Sequence, residues 1–414
     1  MSAPQVVTMG CRLNLAESER IRAMLAGTSD VLVVNSCAVT GEAVRQTRQA
    51  IRKARRARPD ARLLVTGCAA EVERDAIAAM PEVDGLVPNA AKLDARSYNI
   101  PIPNPREGGD LPQTDETPSG MRSQPSLGLA RGKHTRAFVA VQNGCDHACT
   151  FCIIPQGRGP SRSLTIAEVL AEVERSLEAG AAEVVLTGVD VTSWGHDLPG
   201  APPLGALAQA ILDAFPALTR LRFSSLDGIE IDPLLFELFA GEARIMPHLH
   251  LSLQHGHDLI LKRMKRRHAR ADAVDLVRRL KARRPDIAIG ADLIAGFPTE
   301  SEEHHAANLS IVHELDIVHG HIFPYSPRAG TPAARMPQVE RQTVKQRAAD
   351  LRGAVADVRR DWLADHVGQP LAVLAERDGT GHAPDFARVA LPDGTPPGTV
   401  VTITPTAIEG GLLR

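Results

Sequence analysis

Two stretches of this sequence alternate short apolar runs, rich in β-branched residues, with longer helix-like segments. No other feature constrains the fold as strongly, because alternating strands and helices predict parallel sheets. The first stretch predicts an N-terminal α/β domain with these strands and helices: Val6–Met9, Leu15–Leu25, Val31–Asn35, Ala43–Ala57 and Leu63–Thr66.

The second stretch predicts six strands, with helices such as Ile166–Ala179 and Ala271–Ala282 between them. Six such repeats indicate a parallel (β/α)6 barrel, complete or partial, with its chemistry at the carboxyl ends of the strands. The predicted strands are Ala137–Val141, Glu183–Thr187, Arg220–Phe223, His248–Leu253, Ala288–Leu293 and His319–Phe323.

The remaining segments differ in character from these two stretches. Residues 101–128 contain six Pro and four Gly, which predicts a linker or, alternatively, an ordered loop. A long helix is predicted over Val339–His366. A small all-β module is predicted after it, from short β runs between Gly and Pro turns: Leu371–Ala375, Ala387–Ala390 and Val400–Thr404. The predicted domains are an N-terminal domain (1–95), a linker (96–133), a barrel (134–366) and an all-β module (367–414).

Composition limits the classes of function. Of 414 residues, 43% are hydrophobic and 23% charged, which is typical of a globular chain. The net charge of −2 means that any nucleic-acid binding depends on local patches. With no signal peptide and no apolar run of roughly 18 residues, we expect no membrane segment. We therefore expect a cytoplasmic protein with reduced thiols, and six cysteines that serve as ligands rather than disulfides.

Three cysteines, Cys145, Cys149 and Cys152, are spaced by four and three residues directly after the first predicted barrel strand. Three thiolates on one short loop can hold three irons of a 4Fe–4S cluster and leave the fourth open to a ligand. A zinc knuckle, or cysteines clustered by chance, is the alternative, but zinc normally takes four ligands and no fourth cysteine is near.

The other three cysteines, Cys11, Cys37 and Cys68, each follow a predicted strand of the N-terminal domain. The carboxyl ends of parallel strands lie along one edge of a sheet, so cysteines far apart in sequence can converge there. This placement predicts a second cluster, with three small core cysteines as the alternative.

A Cys-x-x-x-Cys-x-x-Cys motif opening a βα barrel resembles the radical S-adenosylmethionine (SAM) enzymes, in which the open iron chelates SAM. With the N-terminal cysteines, the chain resembles the methylthiotransferase branch of that family, whose auxiliary cluster supplies sulfur. The resemblance covers about the whole chain. Its motifs are Gly10-Cys11, Asn35-Ser36-Cys37, Thr66-Gly67-Cys68, Gln142-Asn143-Gly144-Cys145, Phe151-Cys152-Ile153-Ile154-Pro155, Arg158-Gly159, Ser161-Arg162-Ser163 and Gly296-Phe297-Pro298.

The resemblance implies that SAM lies against Phe151, Thr187, Gly188, Asp190, Gln254, Ile294 and Gly296. Asp190 could instead cap the next helix. Along the fourth strand, His248, His250, Ser252 and Gln254 alternate with leucines, which predicts a polar lumen suited to cofactor and substrate. A His-x-His zinc site is the rival interpretation of that strand.

Two basic runs favour RNA as a partner. Residues 43–59 hold seven cations and no acid, and Arg45, Arg48, Arg52 and Arg55 share one helical face. Lys262–Arg270 holds six more cations. Phosphate binding explains both runs, while a solvated helix face is the alternative. Residues 368–414 occupy the place of the TRAM domain, the small β-barrel with which the family binds RNA. Their charge is −2, from three Arg and five Asp or Glu, which does not favour RNA binding by this segment.

Among the family branches, Asn35-Ser36-Cys37-Ala38-Val39-Thr40 resembles the type that methylthiolates C2 of N6-threonylcarbamoyladenosine at tRNA position 37. That resemblance implies two 4Fe–4S clusters, SAM, tRNA and a reductant protein such as flavodoxin or ferredoxin. The alternatives are action on isopentenyladenosine in tRNA, action on a ribosomal protein, and a non-enzymatic iron–sulfur redox sensor that binds RNA.

Overall fold

The computed structural model describes residues 5–28, 30–98 and 135–414. The chain divides into two compact units, Met1–Cys37 with Ala43–Gly132 and Ala38–Glu42 with Lys133–Arg414. The predicted linker, residues 96–133, lies almost entirely outside the described residues. No helix in the described ranges combines the length and apolar character needed to cross a membrane.

The first unit contains a four-stranded parallel sheet in the order β1-β2-β3-β4, which confirms the predicted N-terminal α/β fold. Adjacent strands are in register, with Thr8 opposite Asn35 and Ser36 opposite Gly67. The elements are β1 Gln5–Thr8, α1 Arg12–Met24, β2 Val31–Ser36, α2 Gly41–Ala57, β3 Arg62–Gly67, α3 Cys68–Val72, α4 Arg74–Ala78 and β4 Gly85–Leu86.

The second unit contains six parallel strands in the order β5-β8-β9-β10-β11-β12, each followed by helical structure. Two three-stranded sheets are joined by the bridges Leu221–Ile245 and Leu226–Leu251. Among the described residues β12 pairs only with β11, so the barrel is not closed. Of the two predicted forms, complete and partial, the structure has the partial one. The strands are β5 Arg136–Ala140, β8 Glu183–Thr187, β9 Leu221–Phe223, β10 His248–Gln254, β11 Ala288–Ala295 and β12 Ile317–Pro324.

A two-stranded hairpin follows β5, formed by β6 (Gln142–Asn143) and β7 (Arg162–Ser163). Local signals fix several helix starts: Thr165 and Glu168 form a capping box, and Asp232 accepts from Leu235 N ahead of Pro233. The helices are α5 Ile154–Arg158, α6 Ile166–Glu178, α7 Leu204–Ala214, α8 Pro233–Gly241, α9 Asp258–Arg263, α10 Arg270–Arg283, α11 Glu302–Glu314 and α12 Arg341–Ala364.

The main core lies between the barrel strands and their outer helices. Leu249, Leu251 and Leu253 of β10 are buried there with Val277 and Leu280 of α10. His248 and His250 face the lumen, as the period of two predicts, but a register shift between Leu251 and Gln254 interrupts the alternation near the end of β10.

The C-terminal module is a six-stranded sheet in the order β16-β13-β14-β15-β18-β17, which confirms the predicted all-β class. The sequence located three of its strands and missed β14, β17 and β18, which are two or three residues long. They are β13 Leu371–Ala375, β14 Thr380–His382, β15 Arg388–Ala390, β16 Val400–Ile403, β17 Ile408–Glu409 and β18 Leu412–Leu413.

This module closes the amino-terminal end of the barrel. Arg220 and Arg222 of the barrel donate to the carbonyl oxygens of Ala372, His382 and Ala383 in the module. Glu183, fully buried between the strands, balances these arginines, with its Oε2 2.8 Å from Arg222 Nε. The ring of Phe386 stacks on His248 at 5.2 Å between centroids and fills the base of the lumen.

Candidate active site

The loop between β6 and α5 carries Cys145, Cys149 and Cys152 at the carboxyl end of the first barrel strand. Cys145 N donates to Gly159 O at 3.1 Å, and Cys152 N donates to Cys149 O at 3.2 Å. Gly144 has φ +74°, and a Cβ there would lie 1.9 Å from Pro160 O, so only glycine fits. All three thiols are partly exposed, so the loop can present them to a metal cluster.

The charge around the thiols is compatible with metal binding. Burial, together with the nearby Asp190 carboxylate and the other two thiols, raises the pKa of Cys145 to about 12. A thiol of this kind becomes a thiolate when a metal cation replaces its proton. Arg266 Nη1 lies 3.8 Å from Cys149 Sγ and adds positive charge beside the site.

Gln142 ties the cysteine loop to the segment after β8. Its Nε2 donates to Gly144 O at 2.8 Å, and its Oε1 accepts from Val189 N at 3.0 Å and from Asp190 N at 2.9 Å. A Cβ on Gly188 would lie 2.8 Å from Gln142 O, so this segment approaches the loop closely. The structure thus brings Thr187, Gly188 and Asp190 beside the cysteine loop.

The side chain of Asp190 faces the cysteine loop. Asp190 stands at the N-cap position of the short 3-10 helix Val191–Ser193, but its side chain accepts from the hydroxyl groups of Thr192 and Ser193, at 3.2 and 2.8 Å, and not from the helix backbone. Its Oδ2 lies 2.6 Å from His147 Nε2 and 3.9 Å from Cys145 Sγ.

His147 connects Asp190 to a second carboxylate, Glu230, 3.8 Å from its Nε2. Hydrogen bonds to Asp190 and Glu230 raise the pKa of His147 to about 10. Burial opposes ionisation of Glu230, but hydrogen bonds from His147 and Arg267 lower its pKa to about 2. At neutral pH the loop therefore carries a fixed ion-pair network next to Cys145.

On the other side of the loop, Phe151 packs into an apolar cluster with Ile294 and Phe297. The Phe151 and Phe297 rings meet edge to face, with centroids 6.4 Å apart. Gln254 is opposite Leu293, one residue before Ile294. Phe151, Gln254 and Ile294 therefore lie at neighbouring strand ends.

A buried carboxylate holds the segment around Gly296. Glu300 Oε2 accepts from Gly296 N at 3.0 Å and Phe297 N at 3.2 Å, and lies 3.2 Å from His255 Nε2. Its Oε1 accepts from Arg347 of α12 at 3.1 Å. Four partners on one carboxylate fix the backbone of this segment before any ligand binds.

The N-terminal cysteines follow the ends of three adjacent strands. Cys37 and Cys68 come directly after the paired residues Ser36 and Gly67, so the two thiols start from neighbouring positions on strands about 4.8 Å apart. A Cβ on Gly10 would lie 2.7 Å from Cys37 Sγ, which brings the residue before Cys11 against Cys37. Cys37 and Cys68 are buried and Cys11 is exposed, so the group is open on one side.

Polar side chains fix these strand ends. Asn14 Nδ2 donates to Met9 O at 2.7 Å and to Ser36 O at 3.0 Å. Ser36 Oγ accepts from the backbone N–H groups of Ala69 and Ala70, at 3.1 and 3.2 Å, just after Cys68. Three thiols on loops held in this way fit a cluster with three protein ligands.

The four arginines predicted to bind RNA differ in their exposure and in their protein partners. Arg45 and Arg52 are exposed, with Arg52 Nε 3.8 Å from Glu82. Arg48 donates to Glu73 at 3.2 Å. Arg55 donates to the carbonyl oxygens of Pro59, Ala61 and Glu82 and to Asp84, which makes it a structural residue of the unit.

Comparisons with known proteins agree with this geometry. Residues 139–309 match the Radical SAM superfamily, and residues 4–88 match the Uncharacterized protein family UPF0004. The chain is 43% identical over 412 residues to threonylcarbamoyladenosine tRNA methylthiotransferase MtaB of Rickettsia prowazekii, covering 99% of this chain and 96% of that protein. The chain belongs to the MtaB-type radical SAM tRNA methylthiotransferases.

Other relatives lie within the same wider family. A tRNA-2-methylthio-N(6)-dimethylallyladenosine synthase of Cereibacter sphaeroides is 32% identical over 431 residues, covering 97% of this chain and 95% of that protein. A solved structure of the radical SAM methyltransferase TsrM from Kitasatospora setae shares the fold, with a TM-score of 0.54 and 17% identity over 80% of this chain and 75% of that one. Membership of the methylthiotransferase family implies SAM and a 4Fe–4S cluster as cofactors and tRNA as substrate.

Sequence reasoning missed several residues that position this site: Gln142, His147, Glu230 and Glu300. Gln142 stands in the motif before Cys145 and could have been found there. Glu230 lies 83 residues after His147, and only the fold brings the two together.

Proposed function

We propose that this chain transfers a methylthio group to C2 of N6-threonylcarbamoyladenosine at position 37 of tRNA. The observation that carries the proposal is the pair of three-cysteine groups, each at the carboxyl ends of parallel strands, which together use all six cysteines. The 43% identity to the Rickettsia prowazekii MtaB protein supports this substrate over the dimethylallyl one, for which the relative described above is 32% identical.

In this proposal Cys145, Cys149 and Cys152 hold one 4Fe–4S cluster, and Cys11, Cys37 and Cys68 hold a second. The partly exposed thiols of the barrel loop, and the exposed Cys11 beside the buried Cys37 and Cys68, support that assignment, because each group offers three ligands and is open on one side. When bound, the two clusters supply reductive cleavage of SAM at the barrel and sulfur at the N-terminal unit. The electrons come from a reductant protein of the flavodoxin or ferredoxin class, in the cytoplasm.

The chain's own residues orient the reactants. Gln142 holds the segment Gly188–Asp190 against the cysteine loop, and Glu300 holds Gly296 and Phe297 on the other side. The apolar cluster of Phe151, Ile294 and Phe297 excludes water from the strand ends between them. We nominate no general base, because hydrogen abstraction from an unactivated carbon by a radical needs none.

The test of the substrate is nucleoside analysis of tRNA from a strain that lacks this protein. We expect the 2-methylthio derivative of N6-threonylcarbamoyladenosine to disappear and its precursor to accumulate, as measured by liquid chromatography and mass spectrometry. Expression of the intact chain from a plasmid should restore the modification. Loss of the methylthio group from isopentenyladenosine instead would assign the chain to the other substrate.

We also propose that the exposed face of α2 binds tRNA phosphates. Arg45, Arg52, Lys53 and Arg56 are exposed along this helix, and Arg45, Arg52 and Arg56 follow one another at a spacing of seven and four residues. Arg48 and Arg55 are paired with the carboxylates of Glu73 and Asp84 and therefore add little to the positive potential of this face. The net charge of −2 supports a local patch as the source of affinity.

Replacing Arg45, Arg52, Lys53 and Arg56 by Ala should weaken tRNA binding and flatten its salt dependence. Each lost phosphate contact lowers the slope of log K against log salt by about 0.7–0.9, so two to three contacts should remove roughly two units. Fluorescence anisotropy over a salt series measures both quantities.

The matched control changes four exposed cations of other helices, Arg278, Arg279, Arg283 and Arg360, to Ala. This control alters the net charge equally and should leave the slope nearly unchanged. Equal effects of the two variants would mean that overall charge, not the α2 face, governs binding.

Arg55→Ala should lower the melting temperature, because the hydrogen bonds of Arg55 to the carbonyl oxygens of Ala61 and Glu82 hold the N-terminal unit together.

A further inference from the structure

Three polar side chains in the barrel lumen take no part in holding the cysteine loop. His250 Nε2 and His321 Nδ1 both lie 3.1 Å from Asp292 Oδ1, and the two rings are 4.5 Å apart between centroids. We call His250, Asp292 and His321 the lumen triad. They occupy lumen-facing positions on the adjacent strands β10, β11 and β12.

The triad forms the floor of the open part of the lumen. Below it, Phe386 and Trp362 pack against His319 with ring centroids 5.9 and 5.2 Å away, and burial lowers the pKa of His319 to about 3. At the level of the triad the packing ends, since the His321 side chain is 56% exposed. Phe323, two residues further along β12, is 38% exposed on the same face.

The triad lies close to the segments assigned to SAM. Asp292 precedes Ile294 by two residues on the same face of β11, which puts it about 7 Å deeper in the lumen. His250 precedes Gln254 by four residues on β10. A nucleoside bound at the strand ends would therefore have its substituents within reach of the triad.

The chemistry of the triad suits a polar substituent. Both imidazoles contact the same oxygen, Asp292 Oδ1. The other oxygen, Asp292 Oδ2, and the other ring nitrogen of His321, Nε2, have no hydrogen-bond partner among residues 5–28, 30–98 and 135–414. Asp292 Oδ2 accepts a hydrogen bond, and His321 Nε2 accepts one when neutral and donates one when protonated.

The threonylcarbamoyl group carries a hydroxyl, a urea N–H and a carboxylate, which match these acceptors and donors. The dimethylallyl group is a hydrocarbon and would leave them dehydrated and unpaired, which is costly. We propose that the lumen triad binds the polar substituent on N6 of the target adenosine and so selects threonylcarbamoyl over dimethylallyl. This inference rests on the proposed function.

The test measures binding without turnover. Reconstituted protein with SAM and no reductant is titrated with labelled anticodon stem-loops carrying threonylcarbamoyladenosine, dimethylallyladenosine or adenosine at position 37. We expect the wild type to prefer the threonylcarbamoyl loop by roughly 10- to 100-fold, the effect of leaving a buried polar group unpaired beside the dimethylallyl group. His321→Phe should bring that ratio close to one, and His321→Gln, which keeps a polar tip, should retain part of it.

His313→Ala, on the exposed end of α11, is the matched control and should keep the full preference. An unchanged ratio in His321→Phe would overturn the inference. So would one equivalent of zinc that disappears in that variant, because the triad's ligand atoms lie within 4.8 Å of one another and could hold a metal instead.

Methylthiolation by the wild type separates the two hypotheses. A wild type that methylthiolates the threonylcarbamoyl loop without any binding preference contradicts the inference and leaves the proposed function intact. A wild type that methylthiolates only the dimethylallyl loop contradicts the proposed function itself.

Discussion

Replacing Cys145, Cys149 and Cys152 together by Ala should abolish SAM cleavage completely. Without the three thiolates the barrel has no ligands for the cluster that an open iron site requires. Anaerobic reconstitution of the wild type should give about eight irons per chain, and the variant should retain about four. Iron analysis and chromatography of 5′-deoxyadenosine measure the two effects.

The loop should keep its conformation without the thiols, so loss of activity in this variant will not report unfolding. Thr150 N donates to Met264 O at 3.1 Å and Thr150 O accepts from Ala333 N at 2.9 Å, independently of the cysteines. Circular dichroism should therefore match the wild type. A wild type with about four irons, or with one zinc, would remove the second cluster from the proposal.

The barrel was predictable because each of its strands is a local pattern. All six strands were located from short apolar runs, and β8 has the predicted bounds, Glu183–Thr187. The hairpin of β6 and β7 was missed, since two-residue strands have no periodicity to detect. The long helix starts at Arg341 instead of Val339, because Glu340 caps it by accepting from Gln342 N and Thr343 N.

The site was predictable only where its residues carry a motif. The cysteines stand directly after strands, so the sequence places them at strand ends. Arg55 shows that helical spacing alone does not predict a function. It lies on the same helical face as Arg45, but it donates to the carbonyl oxygens of Pro59 and Glu82 in neighbouring loops. The lumen triad was not predictable for a similar reason. Only the pairing of strands brings His250, Asp292 and His321 together, and they span 71 residues of sequence.

The N-terminal cysteines should be needed for sulfur transfer and not for SAM cleavage. Cys11→Ala, Cys37→Ala and Cys68→Ala should each stop methylthiolation of tRNA, because each removes one of three ligands and the sequence has no cysteine outside the two groups to replace it. Production of 5′-deoxyadenosine should persist in all three variants, since the Cys145, Cys149 and Cys152 loop is unchanged. The iron content should fall toward about four per chain.

Burial provides an internal comparison among these three variants. Cys11 is exposed, whereas Cys37 and Cys68 are 6% and 4% exposed. Cys37→Ala and Cys68→Ala should therefore lower the melting temperature slightly through lost packing, while Cys11→Ala should not. All three should lose methylthiolation, because each variant removes one of the three ligands. Loss of SAM cleavage in all three variants, with circular dichroism unchanged, would mean that cleavage requires both cysteine groups and that the proposed division between them is wrong.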